Sequence, residues 1–306
     1  MSEILVTGGN GFIGTNLTQE LRDRGHDVWT LDITFSSADT HYRVDVGEYR
    51  QLAEVFAEHD FEYVYHAAAE YGRWNGEEHY ENLWRTNAVG TKHILRLQKE
   101  HDFRLIQFSS AEVYGDHAGE LYEELTEEES IQLLNDYAIS KRANEMQVQN
   151  AMEKFDTESV IVRPVNCYGP YKAYNEYRGV VPIFIWHALN DKPYTVYQGH
   201  KRIFDYVDDT VATLANITEN FHSGEVYNLG GEPEWEITIT ELSNIILDYL
   251  DKDDSLVTYK EPEPMTTEVK RVDSSKAREH LNHDPSVPPE EGIPKMIEWY
   301  EQEYDL

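Results

Sequence analysis

The stretch EILVTGGNGFIGTNLTQELRDRGHDVWTLD, residues 3–32, admits few folds. Ile4, Leu5 and Val6 form the short, β-branched-rich run of a strand buried in a parallel sheet. Ile13, Leu17 and Leu21 then recur every fourth residue, one face of a helix predicted to end near Gly25. DVWTLD is a second strand, which completes a βαβ unit. Gly8, Gly11 and Gly14 stand at its first turn with the spacing GxxGxxG. Small residues there let the backbone approach a pyrophosphate and let the helix pack on the strand, while the helix amino end faces the anion. Turns use glycine for other reasons, so the triplet gains its weight from context: a strand before it, a helix after it, and Asp32 closing the second strand. A carboxylate at that distance binds the adenosine ribose diol and repels a 2′-phosphate, and no Arg follows it in DITFSS. The unit is predicted to bind NAD in preference to NADP.

Strand and helix continue to alternate. FEYVYHAAA (61–69) and FRLIQFSS (103–110) read as further parallel strands, with helices over roughly 81–100 and 137–154. This rhythm predicts an α/β fold built on a Rossmann-type doubly wound parallel sheet. Ligands of such sheets bind outside the carboxyl ends of the strands, which puts Ser110 and Glu112 of SSAEVYG on the ligand side. DYAISK places Tyr137 and Lys141 on one face at the start of a helix. A tyrosine becomes a general acid/base only if its pKa of about 10 is brought toward neutrality. A cation one turn away, close to an oxidised nicotinamide, favours the phenolate. Ser110 is then placed to hold a substrate oxygen for proton transfer.

Composition narrows the partners. Fifty-eight Asp and Glu against 26 Lys and Arg give a formal net charge of −32, spread along the 306 residues. Nucleic acid and anionic membranes both require a basic patch, so neither is an expected partner. A solvated acidic surface of this kind keeps halophilic proteins dissolved in concentrated salt. An anionic ligand would need a local cluster of Arg or Lys to overcome the overall field. No stretch approaches the ~20 apolar residues of a membrane span, and the amino end lacks the pattern of a secretory signal. A single cysteine, Cys167, forms no internal disulfide and agrees with a cytoplasmic setting. No metal site is expected.

The motifs taken together resemble the extended short-chain dehydrogenase/reductases of the nucleotide-sugar epimerase/dehydratase type. TGGNGFIG, LD at 31–32, VDV at 44–46, HAAA at 66–69, TNAVGT at 86–91, SSAEVYG, YAISK, RPVNCYGP at 163–170 and YVDD at 206–209 follow that family's order. VDSSKAREHL and EEGIPKMIEWY resemble its carboxyl-terminal signature. The resemblance implies Tyr137 as acid/base, Lys141 as its electrostatic partner and ribose ligand, and Ser110 as the hydroxyl that orients substrate. It implies a cofactor site of Gly8, Gly11, Phe12, Ile13, Gly14, Asp32, Asp45, Val46, Ala67, Ala68, Asn87, Tyr137, Lys141 and Pro164. Asn87 either supports the site or caps a helix. Asn166, Arg202 and Arg271 are implied to hold the diphosphate of a nucleotide sugar, and Arg202 falls in GHKRIFDYVDD, a rare basic cluster. A homodimer is also implied.

After about residue 167 the strand–helix rhythm gives way to tyrosine-rich segments and short strands, with helices over roughly 239–251 and 290–303. The expected division is residues 1–166 as the NAD-binding domain, with return of about 203–225, and 167–306 as a smaller, interleaved α/β substrate domain. YKEPEPMTTE (259–268) reads as an exposed loop. Many members of the family carry an asparagine a few residues before the proline of VVPIF, where it touches sugar or diphosphate; Gly179 takes that place here. Arg73 and Trp74 in EYGRWNGEEHYENLW (70–84) either touch substrate or belong to a packing loop.

The implied first step is oxidation of a sugar hydroxyl, Tyr137 taking its proton as the neighbouring carbon gives hydride to NAD. Return of hydride to the other face of the 4-keto sugar is epimerisation, the outcome favoured slightly. Removal of the C5 proton leads instead to 4,6-dehydration or decarboxylation. Glu112 is the candidate base for those reactions, or else a solvated or structural carboxylate. Ala111, where one group of dehydratases has an acid, cannot donate a proton. Net oxidation of a free sugar and non-catalytic NAD binding are the remaining alternatives.

Overall fold

The computed structural model describes residues 1–263 and 266–305. Its centre is a seven-stranded sheet of β1 (Glu3–Thr7), β2 (Asp27–Asp32), β3 (His41–Arg43), β4 (Tyr63–His66), β5 (Arg104–Phe108), β6 (Ser159–Pro164) and β7 (Val226–Leu229). All neighbours are parallel, in the order β7-β6-β5-β4-β1-β2-β3. The order reverses between β1 and β4, and this switch point is where a doubly wound sheet opens a crevice. Ile4, Leu5, Val6, Val64, Tyr65, Leu105 and Ile106 are fully buried, as strands covered by helices on both faces require.

The helices that flank this sheet include α1 (Phe12–Asp23), α2 (Gly90–His101), α3 (Asp136–Phe155) and α4 (Val207–Asn216), and Tyr49–Glu58 packs on it as well. α1 stops before Gly25, whose φ of +87° suits a residue without Cβ. The helix expected over 81–100 is in fact three pieces. Tyr80–Trp84 leads into a π-helical turn, Arg85–Val89, and then into α2. The segment expected as a strand over 61–69 leaves the sheet after His66, which frees Ala67–Ala69 to form a wall. Val226–Leu229, a short strand of the second half by sequence, completes the large sheet beside β6 because all but its first residue are buried there.

Beyond β6 the chain builds a second layer. A small sheet joins Glu120–Leu121, Val269–Val272, Lys201–Arg202 and Ile237–Thr238. A separate apolar core gathers Phe184, Ile185, Tyr194, Leu242, Ile246, Met296, Ile297 and Tyr300, from the helices Val180–Leu189, Ile239–Tyr249 and Pro289–Tyr304 and the strand Tyr194–Tyr197. α4 returns to the first core, where the Tyr65 hydroxyl donates to Leu214 O at 2.9 Å. In the 259–268 segment, residues 264–265 lie outside the described residues. No helix among the described residues is long and apolar enough to cross a membrane.

Candidate active site

A cleft of about 420 Å³ opens at the carboxyl ends of β1, β4 and β5. Gly8, Gly11 and Gly14 form its floor at the amino end of α1, with Phe12 and Ile13. These glycines are required by contact. A Cβ on Gly14 would stand 2.1 Å from Gly8 O, and one on Gly8 (φ +71°) would stand 2.8 Å from Ala68 Cα. Thr7 Oγ1 accepts from Ala68 N at 3.1 Å and fixes that wall. α1 has no side-chain cap, so its first amide groups are free to meet a phosphate. Asp32, Asp45, Val46, Ala67, Ala68 and Pro164 line the same cleft. The Asp32 carboxylate accepts from Asn10 N (3.1 Å) and from Thr34 N (3.0 Å), which orients it at the strand end. The donor set fits an adenine dinucleotide: a narrow glycine cradle for pyrophosphate and a fixed carboxylate for a ribose diol.

The residues singled out for chemistry stand at the other end. Ser110, Tyr137 and Lys141 all line the cleft, as does Asn166. Ser110 caps a short 3₁₀ turn, Ala111–Tyr114, its Oγ accepting from Glu112 N at 3.2 Å and keeping its own proton to donate. Asn135 caps α3 by accepting from Ala138 N at 2.8 Å, which sets the Tyr137–Lys141 face toward β5. Lys141 is buried and donates to Phe108 O at 2.9 Å; its Nζ lies 5.8 Å from the centre of the Tyr137 ring. Burial lowers the Lys141 ammonium to about 8, with Glu145 one turn on acting the other way. Burial pushes Tyr137 up to about 12, opposed by the Ser110 hydroxyl and reinforced by the Glu112 charge. The lysine alone therefore does not produce a phenolate. The positive nicotinamide that would lie in this cleft has to supply the remaining pull.

Asn87 lies behind the cleft, in the π turn, and caps no helix end. It accepts from Glu70 N at 2.9 Å and donates to Glu70 O (2.9 Å) and Ser140 Oγ (3.0 Å), tying the loop after β4 to α3. The wide turn brings this amide out of the regular helical register.

Glu112 does not line the cleft; it faces Lys270, with which it forms an ion pair. Lys270 is buried in the small sheet, 158 residues away in sequence. Burial raises the Glu112 carboxyl, but Lys270, with Arg73 and Arg202 beyond it, overrides this and leaves it below the ordinary range. Burial likewise makes the Lys270 ammonium more acidic than a free lysine, against the pull of Glu112. Arg202 is buried beside them but is spent on the chain: it donates to Lys201 O, Glu268 O, Thr267 O and Thr266 Oγ1 at 2.7 to 3.1 Å. Arg271 is not a lining residue. It is exposed and pairs with Glu236 at 2.6 and 2.7 Å. Arg73 joins Glu263 at 2.9 Å, so the 70–84 segment is clasped to the loop before residue 264.

Tyr71, Lys172 and Arg178 in the cleft, and Lys270 behind it, are not among the residues expected from sequence. A signal existed for Lys270. Val269–Val272 alternates, with Lys270 and Val272 buried and Arg271 exposed, so period-two reading from Val272 points Lys270 inward.

Comparison with known proteins gives the family. Residues 4–230 match the family model described as NAD dependent epimerase/dehydratase family. The chain is 30% identical over 319 residues to UDP-N-acetyl-alpha-D-glucosaminuronate decarboxylase of Bacillus cytotoxicus, covering 97% of each. It is 28% identical over 336 residues to dTDP-glucose 4,6-dehydratase 1 of Escherichia coli, covering 97% of this chain and 92% of that one. Among solved structures, UDP-glucose 4-epimerase of Thermotoga maritima superposes with a TM-score of 0.89 at 25% identity, covering 99% of both. With the glycine cradle, Asp32 and the Ser110–Tyr137–Lys141 group in one cleft, the chain belongs to the NAD-dependent epimerase/dehydratase family and is an NAD-dependent enzyme.

Proposed function

We propose that the substrate is a nucleoside diphosphate uronic acid and the reaction its decarboxylation through a 4-keto intermediate, with NAD regenerated. The observation that carries this reading is the buried Glu112–Lys270 pair beside Ser110. Tyr137 takes the proton of the C4 hydroxyl while Ser110 holds the oxygen. Bound NAD would accept hydride from C4 and later return it. The resulting ketone is β to the C6 carboxylate, so the C5–C6 bond breaks, carbon dioxide leaves, and the electron pair moves onto the C4 oxygen as an enolate. C5 then needs one proton. Glu112 takes it from the Lys270 ammonium, turns from Lys270 into the cleft to deliver it, and Lys270 is reprotonated from water. Tyr137 finally returns its proton to the C4 oxygen.

Dehydration is less well served, because buried Ala111 offers no proton to a departing hydroxide. Epimerisation uses Ser110 and Tyr137 alone and leaves the Glu112–Lys270 pair without a task. The test is incubation of purified protein and NAD with UDP- and dTDP-linked uronic acids and hexoses. Decarboxylation gives a product lighter by one carbon dioxide. A product of unchanged mass and altered chromatography would replace this reading with epimerisation, and loss of water with dehydration. Tyr137→Phe should lower turnover by about 10²–10⁴-fold while NAD still binds.

The proposal extends to a cytoplasmic homodimer with a salt-adapted surface. Val89, Ile139 and Met146 expose apolar side chains on segments that pack side by side, and the net charge is −32. Light scattering in concentrated KCl reads the oligomeric state.

A further inference from the structure

We propose that Arg178 is the specificity-determining ligand for the substrate's diphosphate, taking over the task of the asparagine that is absent at Gly179. The inference rests on the reading that the substrate is a nucleotide sugar. Arg178 lines the cleft, and its guanidinium carbon lies 3.8 Å from the centre of the Tyr71 ring, also a lining residue. The stack holds the planar group flat and leaves its edges for a ligand. Its Nε is buried without a hydrogen-bond partner, and among the described residues no carboxylate pairs with it. Among the described residues Arg24, Arg85, Arg104, Arg163 and Arg271 each find one; Arg22, Arg43, Arg50 and Arg202 do not, but of the arginines without one only Arg178 lines the cleft. An Nε–H group shut off from water with no acceptor is costly unless an anion completes it. Burial lowers its pKa from the ordinary arginine value, as expected for a cation awaiting a counter-charge.

The chain just after Arg178 suits the same anion. Gly179 stands at the amino end of the helix Val180–Leu189 without a side-chain cap, and a Cβ built on it would meet nothing within 4 Å. Open space and free amide groups thus follow, next in the chain, on the planar fork that lines the cleft. The cofactor's own pyrophosphate has a separate cradle at Gly8–Gly14, which leaves the Arg178 edge for the substrate.

The experiment is titration calorimetry of the NAD-loaded protein with UDP and with dTDP, in wild type, Arg178→Gln and Arg178→Lys, with NAD affinity and thermal melting measured on each. Loss of charge-assisted hydrogen bonds should weaken nucleoside diphosphate binding in Arg178→Gln by about 10- to 100-fold. NAD affinity and melting should stay as in wild type, and Arg178→Lys should recover part of the loss, since a point charge replaces a fork. Wild-type diphosphate affinity in Arg178→Gln overturns this inference alone. A loss of NAD affinity overturns it too, by assigning the arginine to the cofactor. If wild type binds neither diphosphate, the proposed substrate class falls and this inference falls with it.

Discussion

Replacing Lys270 with methionine tests the pair on which the proposed chemistry turns. The side chains of Lys270 and Glu112 are 6% and 23% exposed, so the pair is shielded enough for its charges to matter. Breaking such a pair by removing one partner costs about 3–5 kcal/mol of stability, and burial then pushes the carboxyl left behind upward. Arg73 and Arg202 remain and oppose part of that rise. The sign comes from the wild-type depression. Glu112 now stays ionised as pH falls past the ordinary carboxylate range, and its contribution to stability is lost only below it. In Lys270→Met burial goes unopposed, and the charge is lost at a higher pH. The assay is kcat against pH, together with the steady-state absorbance of reduced cofactor. The acid limb of kcat should move to higher pH. Turnover should fall about 10²–10⁴-fold as the proton source for C5 disappears. Reduced cofactor should accumulate, because C4 oxidation does not use Lys270. Lys270→Arg should restore the limb toward wild type. A Lys270→Met protein with unchanged kcat and an unmoved acid limb refutes the reasoning.

Gly14→Ala forces a methyl against Gly8 O and Gly9 Cα, so it should lose about 1–3 kcal/mol of stability and most NAD affinity, measured by melting with and without NAD. Arg163→Met should destabilise by about 3–5 kcal/mol in denaturant titration. It leaves the fully buried Glu145, to which Arg163 donates at 2.7 and 3.0 Å, to Arg142 alone, and frees Tyr114 and Thr126. Raising KCl from low to molar concentration should raise the melting temperature, because screening relieves the self-repulsion of 32 net negative charges; a flat or falling curve would count against salt adaptation.

Local spacing carried much of the site. The GxxGxxG turn, Asp32 and the Tyr137–Lys141 helix face each depend on residues within a few turns of one another, and geometry comes directly from strand and helix periods. Ser110 was placed by its position at a strand end. The electrostatic state of Tyr137 was not legible, since burial raises the phenol and the ammonium of Lys141 is engaged by Phe108 O. Nor was the break in the helix over 81–100. The π turn answers to Asn87 reaching Glu70 and Ser140, contacts made across the fold.

Residue order was enough to specify the sheet that binds the cofactor and the hydroxyl, phenol and amine that meet at its edge, because both arise from short-range periodicity and turn chemistry. The packing of distant segments settled which cation faces Glu112, which arginine stacks on Tyr71, and that Arg271 is spent on Glu236. Those partners lie about 35 to 160 positions apart, and nothing within a turn or a strand fixes such a choice. It is made by which faces the folded layers bring together, and by the free energy of leaving a buried charge without its counter-charge.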